Sequence, residues 1–315
     1  MTLPDPAPPR KRRGPFGPMF ILVLILAVGW CAGWFWLKDQ AISRMDQTAK
    51  TLADNGYRLE WSKRDVSGFP FRLNINLSNL RVSEPSGWAL TAPLVKGEAF
   101  IYALGNWVLV APQGVTFTRP DGGAVIVQGQ ALRASLTDFD KRPPRIDIEG
   151  VNLTFSPEAG ASPYFLSSAK QLNVRVLAGP NDQGAFLMRV GGAKMALQGL
   201  AARATEDGLV DMDLGLTLTR ISAFDGQSWE NAARAWAGAG GVIEVDRASV
   251  SGGAARLSAR TGTLRPGPDG RLEGRLDASL GDLTGSGQSL QGQVQLRDGK
   301  AFIGPLEIGP SPRVW

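Results

Sequence analysis

The feature that most constrains this chain is an uncharged run near its start. From Phe16 to Leu37 the sequence FGPMFILVLILAVGWCAGWFWL contains no Asp, Glu, Lys or Arg, and Met19–Leu37 is dominated by Ile, Leu, Val, Phe and Trp. At a rise of about 1.5 Å per residue, roughly 20 such residues make a helix that crosses a hydrocarbon core of about 30 Å. Residues 19–37 are therefore expected to be a transmembrane anchor. Trp30, Trp34 and Trp36 crowd its C-terminal half, where indoles favour the membrane interface, and Arg10, Lys11, Arg12 and Arg13 precede it. Residues 1–18 then form a basic tail on the cytoplasmic side of the inner membrane, and everything after Lys38 lies in the periplasm. A cleaved secretory signal would end in small residues, whereas this segment ends in GWFWLKDQ. A lipid-modified cysteine would need small residues just before Cys31, but Trp30 stands there, so Cys31 reads as a small apolar residue of the membrane helix.

Composition narrows the chemistry. The chain has no histidine and a single cysteine. Ser-His-Asp and Cys-His catalysis, imidazole metal ligation and a disulfide framework within one chain are excluded. The expectation is a non-enzymatic protein with no catalytic residues, no metal site and no cofactor. The formal net charge is +5, and the N-terminal tail accounts for three of those charges. The near-neutral remainder argues against a nucleic-acid partner, which requires a concentrated basic face interleaved with stacking aromatics.

After the anchor, residues 38–56 continue as an amphipathic helix. Leu37, Ala41, Met45, Ala49 and Leu52 lie on one stripe, and Asn55-Gly56 supplies a left-handed stop. Beyond Tyr57 the hydrophobic period changes from about 3.6 to 2, which predicts strands almost without interruption. Phe71, Leu73, Ile75 and Leu77 alternate, then Leu80 and Val82 take the opposite phase, so a β-bulge is expected near Ser78-Asn79. Leu172, Val174 and Val176 should pair across Asn181-Asp182-Gln183-Gly184 with Phe186, Met188 and Val190. Val210, Met212, Leu214, Leu216 and Leu218 form the cleanest one-sided strand. One interruption is helical: Trp229, Ala232, Ala233 and Trp236 share a face behind a Ser228 N-cap, as a plug for one end of a sheet or as a lid or membrane-surface foot beside a groove.

The fold class is therefore mainly β: an N-terminal transmembrane helix, then a long antiparallel sheet, curled or sandwich-like, over residues 57–315, with one or two short helices and a sub-boundary near 156–170. Roughly fifteen one-sided strands cannot stay flat and must enclose an apolar interior. Small residues such as Ala255, Gly274 and Ala278 fill space poorly and favour an open trough over a packed core. The residues expected to line that groove are Val210, Met212, Leu214, Leu216, Leu218, Trp229 and Trp236.

Three acidic pairs have the spacing of a metal or acid–base site: Asp138 with Asp140, Asp147 with Glu149, and Asp211 with Asp213. Each lies opposite an apolar face, so a solvated surface accounts for them. Gly191-Gly192 and Gly238-Ala239-Gly240-Gly241 lack the strand and helix context of a phosphate cradle and read as turns. Ser67-Gly68-Phe69-Pro70-Phe71-Arg72 is a strand entrance, with Phe69 and Phe71 supplying bulk where the membrane-proximal helix docks.

Several segments together carry a resemblance. The N-terminal span, the GFPFR entrance, Gly87-Trp88, Trp107–Pro112, Thr118–Gly123 and the closing Asp298–Pro305 resemble the domain-of-unknown-function family 2125 of alphaproteobacterial envelopes. That family has no assigned activity, so the resemblance carries over no functional residue. In architecture the chain is also similar to AsmA-like envelope proteins, which implies a sheet curled around an apolar groove for lipid acyl chains. The expected partners are inner-membrane lipid, a lipid ligand bound or shuttled in the groove and, in the alternative reading as a scaffold or assembly factor, other envelope proteins.

Overall fold

The computed structural model describes residues 16–197, 202, 208–226, 228–253, 255–281 and 289–315. The basic cluster Arg10–Arg13 lies outside the described residues. Helix α1 runs unbroken through Phe16–Asp54, 39 residues, so the apolar run and the amphipathic stretch after it share one axis. It is long and apolar enough to span a membrane. Its end is set by Gly56 at φ 82°. The Tyr57 N–H reaches back to the Leu52 carbonyl at 2.9 Å and the Gly56 N–H to Ala53 at 3.0 Å, the paired bonds that close a helix through a left-handed residue. Beyond Leu37 the stripe Ala41, Met45, Ala49 and Leu52 is half-buried while most of its flanks are exposed.

Among the described residues, the chain after α1 is built on one antiparallel sheet of 18 strands. The first nine are β1 (Arg58–Glu60), β2 (Lys63–Ser67), β3 (Arg72–Ser83), β4 (Ala89–Phe100), β5 (Trp107–Val110), β6 (Val115–Arg119), β7 (Gly123–Gln128), β8 (Ala131–Thr137) and β9 (Arg145–Pro157). Long strands here are matched by pairs of short ones. β1 and β2 both lie along β3, β5 and β6 along β4, and β8 and β7 along β9, with β5 joined to β8 and β6 to β7. From β9 the chain becomes a simple meander through β10 (Leu166–Ala178), β11 (Gln183–Met195), β12 (Val210–Thr219), β13 (Ile243–Gly252), β14 (Ala255–Pro266), β15 (Leu272–Gly281), β16 (Ser289–Arg297), β17 (Lys300–Ile303) and β18 (Leu306–Pro310). The β10–β11 hairpin has the expected register, with Leu172 opposite Val190, Val174 opposite Met188 and Val176 opposite Phe186.

One expectation is corrected. β3 and β4 keep a constant register through Ser78–Leu94 and Leu80–Ala92, with no extra residue. The change of phase is made instead by Asn79 at φ 50°, a left-handed backbone that asparagine tolerates.

Helix α2 (Trp229–Gly238) interrupts the meander between β12 and β13, preceded by a short 3-10 turn at Ile221–Ala223. Ser228 caps it, its hydroxyl accepting from the Asn231 N–H at 3.3 Å. Trp236 is fully buried (0%) and stacks on Phe224 at 4.9 Å. Its indole donates to the Thr219 carbonyl at 2.7 Å, which satisfies the polar end of the ring inside the core. Trp229 ties distant parts of the chain together: its backbone N–H donates to the Glu84 carboxylate at 3.0 Å and its indole to the Val314 carbonyl at 2.7 Å. The β3–β4 turn and the segment after β18 therefore meet at α2.

Candidate functional site

Directly opposed residues of neighbouring strands share a face. The inward face of the curled sheet carries two packed clusters. One joins Val125, Leu153, Phe155, Val190 and Val210 across β7, β9, β11 and β12. The other gathers Ile243, Val245, Leu264, Leu272 and Leu296 around Trp236. Two apolar spaces remain beside them.

The larger is a cavity of about 1080 Å³. Val176 of β10, Phe186 of β11 and Leu218 of β12 form one wall, and Phe224, Trp229 and Ala232 from the α2 region form another. Tyr57, Trp88 and Phe117 close it from the first half of the chain. The aromatic walls are layered: Trp88 on Phe117 at 5.2 Å, and Phe224 on Trp229 at 5.9 Å. Polar groups are confined to a few positions. Glu84 is held by the Trp229 N–H and the Ser86 hydroxyl, and Asp182 accepts from the Ser222 N–H at 2.9 Å and its hydroxyl at 2.8 Å. The exposed Arg142 also lines it. The smaller space, about 210 Å³, lies over β12–β18, where Ala248, Ala259 and Ala278 are too short to meet Leu214, Val294 and Ile303.

The row expected to line a groove is divided among these regions. Val210 is wholly buried in the first cluster, and Met212 packs against it while also lining the small space. Leu214 lines the small space, Leu216 packs against the second cluster, and Leu218 reaches the large cavity. Trp229 lines the large cavity, whereas Trp236 fills core. Tyr57, Trp88, Phe117, Val176 and Phe186 were not foreseen as lining residues. The β10–β11 register could have pointed to the last two. The first three reach the cavity only through tertiary folding.

Two of the acidic pairs, on β9 and β12, lie on the outer face among arginines, whereas Asp138 and Asp140 fall in the turn between β8 and β9 and not on a strand face. Asp147 accepts from Arg145 at 2.7 Å and from Arg175, and Glu149 accepts from Arg133. Asp213 accepts from Arg189 at 2.9 Å and Arg247 at 2.7 Å, and Asp211 accepts from the Gly192 N–H at 2.8 Å. Partial burial works to raise Asp147 and Asp213, and the flanking arginine hydrogen bonds overcome it, so both carboxyls lie below their ordinary value. Asp138 sits at φ 56° in the β8–β9 turn, with Lys141 at 3.8 Å. Among the described residues, no three metal-ligating side chains come together.

A long apolar helix, a curled antiparallel sheet and an apolar, aromatic-walled interior define a helix-tethered β protein. The family described as an uncharacterized protein conserved in bacteria (DUF2125) matches residues 34–285, and the chain belongs to it. No curated protein and no solved structure matches the chain.

Proposed function

We propose that this is a non-catalytic, single-pass inner-membrane protein whose β domain lies in the periplasm and holds the acyl part of a lipid in the large cavity. The observation that carries this reading is the cavity itself. At about 1080 Å³ it reaches the upper end of the roughly 300–1,000 Å³ typical of small-molecule sites. Its walls are aliphatic and aromatic, and its charged groups are few, the arrangement suited to an apolar chain with a polar head.

Native mass spectrometry of the full chain, released gently from membranes, tests the reading. Wild-type protein should carry phospholipid, and Ala232→Phe, which adds bulk to the cavity from a half-buried position on α2, should lose it without losing the fold. Folded wild-type protein free of lipid overturns the proposal. If the same preparation brought down one specific protein and no lipid, the scaffold reading would replace it.

A further inference from the structure

The sheet meets α1 through an aromatic junction placed unexpectedly low on the helix. The turn between β2 and β3, Gly68–Phe71, docks on Trp30, Trp34 and Phe35, inside the apolar run and not on the amphipathic stretch after Leu37. The Trp30 indole donates to the Pro70 carbonyl at 3.0 Å and the Trp34 indole to the Arg72 carbonyl at 2.9 Å. Phe69 meets the Trp34 ring edge-on at 5.6 Å and stacks on Phe35 at 6.2 Å, and Phe71 lies 6.0 Å from Trp30. Gly68 is required here, because a Cβ would meet the Arg72 carbonyl oxygen at 2.7 Å.

Trp30 lies about two helical turns, roughly 10 Å, before Leu37, so this turn sits well below the level at which the helix first carries charge. A second turn is tied to it. The Ile101 N–H donates to the Phe71 carbonyl at 3.1 Å, and Arg72 pairs in register with Phe100. Phe100 stacks on Tyr102 at 5.1 Å, and Leu104 follows. Phe71 and Tyr102 are mostly exposed, at 58% and 73%, while Phe100 and Leu104 are a little over a third exposed.

We infer that the Gly68–Phe71 and Phe100–Leu104 turns are a membrane-inserting collar, seating the end of the sheet in the outer leaflet beside α1. Irregular backbone enters lipid only where its polar groups are already paired. Here the Pro70, Phe71 and Arg72 carbonyls have donors from the helix or the neighbouring turn, and the Arg72 N–H donates to Gly68 at 2.9 Å. The charges that flank the collar are placed for the headgroup level. Arg72 pairs with Glu98 at 2.6 Å while its guanidinium covers the Phe100 ring at 5.1 Å, and Lys38 lies over Trp34 at 5.9 Å. Both cations set their charged heads over aromatic faces at the edge of the collar, a favourable cation–π arrangement.

The inference rests on the proposed membrane anchoring but not on lipid binding in the cavity. The test uses the full chain in vesicles of phosphatidylethanolamine and phosphatidylglycerol, in a Cys31→Ser background, with single cysteines labelled by a membrane-impermeant maleimide. Phe71→Cys and Tyr102→Cys report the two turns. Lys141→Cys, whose native side chain is 55% exposed in the β8–β9 turn, is the aqueous reference, and Leu26→Cys, at a site 64% exposed on α1, is the membrane reference. Both collar thiols should react about ten-fold more slowly than Lys141→Cys, because bilayer rather than protein restricts access to them. If either reacts as fast as Lys141→Cys while Leu26→Cys stays protected, the anchor stands and the collar is wrong. Fast reaction of Leu26→Cys overturns both.

Discussion

Two clusters of tryptophan and phenylalanine organise this molecule, and they serve opposite ends of it. Around α2, Trp236 and Phe224 turn inward: Trp236 is completely enclosed, and its one polar atom is satisfied within the core. Around α1, Trp30, Trp34, Phe69 and Phe71 use the same residue types and the same indole-to-carbonyl bonds, yet only Trp34 is buried, at 5% exposed. The difference teaches that aromatic content alone does not locate a core. The α2 cluster is covered by the sheet's own strands, whereas the α1 cluster leaves its outer rings for a surface that the chain does not supply.

The largest expected effect tests the inner cluster. Trp236→Ala removes a fully buried ring and should destabilise the β domain by about 3–5 kcal/mol, read as a large fall in the denaturation midpoint of the detergent-solubilised full chain. A small change would mean that α2 is peripheral to the fold. At the outer cluster, Trp34→Phe keeps a ring but leaves the Arg72 carbonyl without its donor, a loss of about 1–3 kcal/mol. Its signature should be local, seen as faster proteolysis near Phe69–Phe71 with little change in global unfolding. If global unfolding shifts as far as for Trp236→Ala, the two clusters belong to one cooperative unit and the contrast fails.

The smallest effect concerns the outer ion pairs that accompany the inward apolar rows. Asp147 and Asp213 have folded pKa values below those of the unfolded chain, so their ion pairs stabilise the fold above the unfolded value of about 3.9. That contribution fades as pH falls through the lower folded values. With arginine partners about half exposed, each pair contributes only about 0.2–1 kcal/mol. In a melting-temperature profile, Asp147→Asn and Asp213→Asn should lower stability slightly at neutral pH and flatten its decline below about pH 4. An unchanged acid limb would show that these carboxylates are solvated charges with no part in stability.

Much of the secondary structure is legible in the sequence because it depends on local periodicity. The uncharged run predicts the first part of α1, Ser228 and the Trp229/Trp236 spacing predict α2, and strict alternation predicts β10–β12 with the register of the β10–β11 hairpin. Where local pattern misleads, the reason is local too: the phase change in β3 has two solutions, an added residue or a left-handed asparagine, and alternation cannot tell them apart. The site was less legible. Leu218 and Trp229 could be placed on an inward face, but Trp88, Phe117 and Tyr57 reach the same cavity from much earlier in the chain. Alternation makes Phe69 bulk for the stretch after Leu37, whereas the structure docks it on Trp34 and Phe35 within the apolar run.

By itself the sequence determined that a long apolar helix is followed by strands with one wet and one dry face, since charge-free length and a period of two are properties of consecutive residues. It also determined that histidine chemistry is absent, because that is a matter of counting. Only the tertiary structure decided that the strands form one curled sheet, that its dry face divides into two packed clusters and two apolar spaces, and that the sheet grips its helix within the apolar run. Those outcomes depend on which distant surfaces meet, and neither periodicity nor composition encodes the curvature that brings Glu84, Trp229 and Val314 together.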